Sequence, residues 1–167
     1  MRGQFLIHDP TLLDAPAEVL PNTLTNLGEA EYLKMIFRAD ETLIASGANW
    51  YMGLCAATPD DALTLSAAAV TEPTIGVSGY ARQGLSRDAT GWPTLDTTNG
   101  EVSMTSKTLT FAANSGGTFD AAITRLFLAD TQTGISGTLL SIGAALAAPK
   151  TITDSETLPV QYQAFLY

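Results

Sequence analysis

The stretch Leu158-Pro-Val-Gln-Tyr-Gln-Ala-Phe-Leu166 decides the fold. Leu158, Val160, Tyr162, Ala164 and Leu166 fall on one face and Gln161 and Gln163 on the other, the period-two alternation of a strand that buries one side. Upstream to Asn49 the same period recurs in short runs broken by turn residues, giving about six or seven candidate antiparallel strands. Trp50, Met52 and Leu54 alternate with Tyr51, Gly53 and Cys55, and both faces are apolar enough for a central strand. Residues 80–87 read as a strand, and Lys107, Leu109 and Phe111 alternate with Thr108 and Thr110. Residues 123–129 are again apolar on both faces, and 138–145 bring the chain back. Turns fall at Thr58-Pro-Asp-Asp61, in a loop over 88–100 marked by Gly91-Trp-Pro93, at Asn114-Ser-Gly-Gly117 and over 130–137. Residues 63–70 read as a helical turn.

Toward the N-terminus the period changes. Asn26 with Glu29 forms a capping-box pattern, and Ala30, Leu33, Ile36 and Phe37 follow at helical spacing, which predicts one helix over about 27–39 laid against the sheet. Residues 1–21 read as an extended arm, because Pro10, Pro16 and Pro21 recur at intervals that a helix or a central strand does not tolerate. The arm is nonetheless apolar: Phe5, Leu6, Ile7, Leu12, Leu13, Val19 and Leu20 either lie across their own domain or dock on a neighbouring subunit, and are the candidate assembly contacts. The expected fold is mainly β: an antiparallel, jelly-roll-like β-sandwich with one N-terminal helix and an extended N-terminal arm. The arm covers 1–21 and a single domain covers 22–167.

With 167 residues the chain can bury a substantial core without staples. Its 17 acidic and 8 basic residues give a formal charge of -9, which repels nucleic acid and anionic lipid. A composition 46% hydrophobic and 15% charged excludes disorder, and no apolar run reaches the roughly 20 residues of a membrane-spanning helix. Phe5-Leu-Ile7 is followed at once by His8-Asp-Pro10, which leaves no signal-peptide core and makes synthesis in the cytoplasm the expectation.

Residues able to carry chemistry are sparse. The sole histidine, His8, sits in the arm, and the sole cysteine, Cys55, in an apolar run that suits core packing. One Cys and one His serve zinc poorly, and Asp60 and Asp61 suit a turn or helix cap better than a calcium site. The serines of Gly76-Val-Ser-Gly79 and Gly134-Ile-Ser-Gly137 lack the rest of a nucleophile elbow, and no P-loop is present. No catalytic residue, cofactor or metal is therefore expected. Arg82 and Arg87 read as intramolecular ion-pair partners, and Trp92 as either a surface-binding loop or a plug for the end of the sandwich.

From Asn22 onward the chain resembles a family of small accessory virion structural proteins of tailed bacteriophages. The resemblance rests on the ordered series Asn22-Thr-Leu-Thr-Asn-Leu-Gly28, Trp50-Tyr-Met-Gly-Leu-Cys-Ala-Ala-Thr-Pro59, Glu72-Pro73, Gly79-Tyr-Ala-Arg-Gln83, Arg87-Asp-Ala-Thr-Gly-Trp-Pro93, Lys107-Thr-Leu-Thr-Phe111 and Phe127-Leu-Ala-Asp130. It implies a non-enzymatic virion component, with capsid decoration or cementing as the leading expectation. The partners would be the major capsid protein and sister subunits in a trimer or other homo-oligomer, on the capsid surface of the virion. A neck, collar or tail component is the alternative within the same class. A carbohydrate-binding adhesion module using Trp92 is the alternative outside it.

Overall fold

The computed structural model describes residues 2–8, 18–24, 49–57, 70–98, 102–134, 137–154 and 156–166. They form ten strands: β1 (Arg2–Ile7), β2 (Glu18–Leu24), β3 (Trp50–Cys55), β4 (Gln83–Leu85), β5 (Thr94–Asp96), β6 (Val102–Thr105), β7 (Leu109–Ala112), β8 (Arg125–Ala129), β9 (Leu139–Gly143) and β10 (Thr157–Leu166). The hydrogen-bonded order is β4-β3-β8-β9-β2-β1-β10-β6-β5, with β7 also on β10, and the pairings are antiparallel. The network curls until β4 comes alongside β7, and its inner faces pack on one another in the manner of a β-sandwich.

The alternation read in residues 158–166 is that of β10. Leu158, Val160 and Tyr162 are buried, and Ala164 packs on the same core beyond them. Strands apolar on both faces lie inside the sheet: β3 and β8 send Met52, Leu54, Leu126 and Leu128 into the main core, and Cys55, Phe127 and Ala129 into a second cluster with Leu139, Ile142 and Val70. Gly53 is required in β3, because a Cβ there would overlap the Phe127 ring.

Two expectations about the N-terminal part are corrected. Among the described residues there is no α-helix, only the 3-10 turn Val77–Gly79, so for them the helix-bearing sandwich gives way to a mainly β architecture. The segment 27–39 itself lies outside the described residues, as do 63–69. What the described residues do show is a second cluster, built by strand residues Cys55, Phe127, Ala129, Leu139 and Ile142 together with Val70, so these sheets bury apolar side chains on both faces.

Residues 2–7 and 18–24, expected as an extended arm set apart from the domain that begins at 22, are the hairpin strands β1 and β2, inserted between β10 and β9 of their own sheet. The reason lies in where the prolines fall. The Pro21 carbonyl accepts Ala144 N, just past the end of β9. Because N and C=O of a strand residue point to the same side, the missing N–H faces a place where no ladder partner is needed. Pro159 in β10 does the same, its carbonyl accepting His8 N just past the end of β1.

A bulge splits the partner of β10 into two strands. Thr105 stands opposite Gln163 and Leu109 opposite Val160, so residues 106–108 face only Gln161 and Tyr162. Buried Ser106 pins the kink: its N–H donates to Tyr162 O at 2.8 Å, its hydroxyl accepts Tyr162 N at 2.8 Å, and its carbonyl accepts Gln161 Nε2 at 3.0 Å. The extra residue reverses parity. Leu109 and Phe111 oppose Val160 and Leu158 on the core face, but beyond the bulge it is Met104 that opposes Ala164.

Candidate functional site

The segments Glu72-Pro73 and Tyr80–Arg82 meet in the most heavily bonded polar cluster of the described residues. Arg82 is 3% exposed. Its Nη2 donates to Glu72 Oε1 at 2.6 Å and its Nε to Glu72 Oε2 at 3.1 Å, the two-pronged contact that suits a carboxylate. Nη1 donates to Thr131 O at 2.8 Å and Nη2 also to Gly134 O at 3.0 Å, and the guanidinium carbon lies 5.1 Å from the Phe127 ring centroid. The Tyr80 hydroxyl donates to Glu72 Oε2 at 2.7 Å and accepts Leu54 N at 3.0 Å, while its ring packs on Phe111 and Phe119. Burial, then the charge of Glu72, hold the Tyr80 phenol far above its ordinary pKa.

Tight backbone delivers these side chains. Gly76, Ser78 and Gly79 all take positive φ in the turn before Tyr80, and a Cβ on Gly79 would strike the Asn114 side chain. The cluster joins β3, the turn before β4 and the 131–134 loop. Each charged or hydroxyl group in it has a protein partner, and the network ties the loops to β3.

The other candidate residues are dispersed. His8 bonds Gln161 at 2.8 Å on the sheet. The buried Cys55 thiol donates to Ala57 O, and burial pushes its pKa up, against thiolate formation. Asp60 and Asp61 lie outside the described residues, among which no cluster of three or more His, Cys, Asp or Glu could hold a metal. Arg87 lies over the Trp50 ring at 5.2 Å. Trp92 is half-buried, edge-on to Tyr162 with centroids 6.0 Å apart and packed on the core. Of the arm residues, Phe5, Ile7 and Leu20 belong to the core of their own chain, Leu6 is half-buried and Val19 is exposed, whereas Leu12 and Leu13 lie outside the described residues.

Sequence reasoning missed Glu72 as the partner of Arg82, since nothing local links residues ten apart across a turn. It also missed the exposed apolar residues Leu95, Val102 and Met104, for which the Val102-x-Met104 alternation was a usable signal.

The family model described as "Podophage GP4 fiber I protein gp80" matches residues 23–165. The chain belongs to that family. It is thus a tailed-phage virion structural protein, and the motifs that carried the resemblance, Glu72-Pro73 and Gly79–Gln83, are those that build the buried clamp. The gp80 match begins inside β2, although β1 and the start of β2 supply Phe5, Ile7 and Leu20 to the same core. No curated protein and no solved structure matches the chain.

Proposed function

We propose that this chain is a non-enzymatic fibre component of a podophage virion, carried on the tail or an adjoining appendage and working through protein contacts with sister subunits. The observation that carries the reading is the fiber I family match across nearly the whole domain. The structure is compatible with it: Glu72, Tyr80 and Arg82 bond one another inside the clamp, and the reading places function on protein surfaces. The fibre reading takes the place of capsid decoration as the leading one, because the matched family is described by a fibre and not by a head protein.

Co-sedimentation of the purified chain with isolated tails, beside emptied capsids of the same virus, tests this. Saturable binding to tails supports the fibre reading. Saturable binding to capsids at many copies overturns it in favour of decoration, and binding to neither overturns it in favour of adhesion.

A further inference from the structure

Among the described residues β5 pairs only with β6, which leaves its other edge open. An apolar row lies beside that edge. Leu95 stands opposite Met104, Met104 opposite Ala164, and Val102 shares the face of Met104. The row prolongs the core face of β10, yet Leu95 is 59% exposed and Met104 and Val102 39% each. Neither strand contains a lysine, an arginine or a proline, the residues that ordinarily guard such an edge. The one charge, Asp96, is turned back on Thr98, accepting its N–H at 2.8 Å and its hydroxyl at 2.6 Å.

We infer that this edge is a self-association surface whose occupant is a second copy of the chain, its β5 laid antiparallel on this β5 about a two-fold axis through Leu95. The edge is complementary to itself. A register centred on Leu95 sets Leu95 against Leu95 and places Thr94 opposite Asp96 twice, hydroxyl donor against carboxylate, with no carboxylate facing another. Pairing joins the sheets of the two copies and sets the two Leu95 side chains side by side, so the apolar row runs on across the seam. Each copy carries a formal charge of -9, so the contact is apolar between like-charged bodies and tightens as salt is added; a basic partner on the same edge would show the opposite dependence. The inference rests on the reading of the chain as a repeated virion subunit.

Sedimentation equilibrium of the full chain over rising concentration, at low and high salt, tests it. The expected result is monomer–dimer association that strengthens with salt, is weakened at least about tenfold by Leu95→Glu, and is unchanged by Val19→Glu on the outer face of β2. Circular dichroism and thermal melting confirm that both variants are folded. Leu95→Cys should give a covalent dimer on oxidation or with a short bis-maleimide, while the wild-type chain, whose Cys55 is buried, stays unlinked. A wild type that remains monomeric throughout, a Leu95→Glu that associates as tightly as wild type, or dissociation by Val19→Glu alone overturns the inference. A dimer that fails to bind tails refutes the fibre reading and leaves this surface standing; a strict monomer that binds tails does the reverse.

Discussion

Replacing Arg82 with methionine keeps most of the side-chain length and removes the charge. The loss leaves the Glu72 carboxylate, whose side chain is 15% exposed, without its counter-ion, and strips Thr131 O and Gly134 O of their donors. Breaking one side of a buried pair costs about 3–5 kcal/mol, a large part of the roughly 5–15 kcal/mol that holds a domain folded. At about 2–4 °C per kcal/mol for a chain of this length, the melting temperature falls by about 6–20 °C. The double variant Glu72→Gln/Arg82→Met removes the stranded charge and keeps an acceptor for the Tyr80 hydroxyl, so it should be more stable than Arg82→Met alone. Urea unfolding of the wild type, both singles and the double, with fluorescence and circular dichroism as coincident probes, reads all four corners of the cycle. An Arg82→Met variant within about 1 kcal/mol of wild type, or a double whose loss is the plain sum of the singles, would refute the clamp argument.

Tyr80 binds its proton more tightly folded than unfolded, so its contribution is fully present below about pH 10 and is lost as pH rises through the elevated folded value. Alkaline ultraviolet titration should therefore find a tyrosine component that resists ionisation until the chain unfolds, and Tyr80→Phe should reduce that late component; an unchanged late component in Tyr80→Phe contradicts this. Ser106→Ala takes away the acceptor of Tyr162 N at the bulge and should cost about 1–3 kcal/mol in the same urea assay. Ser141 is fully buried in β9 and its hydroxyl has no hydrogen-bond partner among the described residues, so Ser141→Ala should be neutral or raise the melting temperature, and a clear loss would mean the hydroxyl is satisfied after all.

Period two was legible wherever burial imposed it: β10 shows it on one face, and β3 and β8 announce their central position by being apolar on both. The hairpin of β1 and β2 was illegible for a specific reason. A proline forbids a strand only where its N–H is needed, and whether Pro21 faces a partner depends on where β9 stops, more than a hundred residues later in the sequence. The bulge was hidden because Ser106 resembles any polar loop residue until Tyr162 is placed beside it. β5 left almost no trace in the sequence, since a three-residue strand exposed along its length has no alternation to display. At the clamp, the ion-pair reading of Arg82 was available from composition and neighbours, but the identity of Glu72 as its partner depends on the turn through Gly76 and Gly79.

The place of β1 between β2 and β10 also sets an order of events. Gln4 meets Gln163 across a separation of 159 residues, so during synthesis the β1–β2 hairpin waits for nearly the whole of the intervening chain before its second edge is taken up. Until then Phe5 and Ile7 lack Tyr162 and Val160 across the ladder, an exposed apolar edge of the kind that recruits other chains. Pairing so distant in sequence also slows folding through loop-closure entropy. A half-made chain is therefore stickier than a finished one, and the ribosome's delay in supplying β10 is the interval in which misassembly competes with folding.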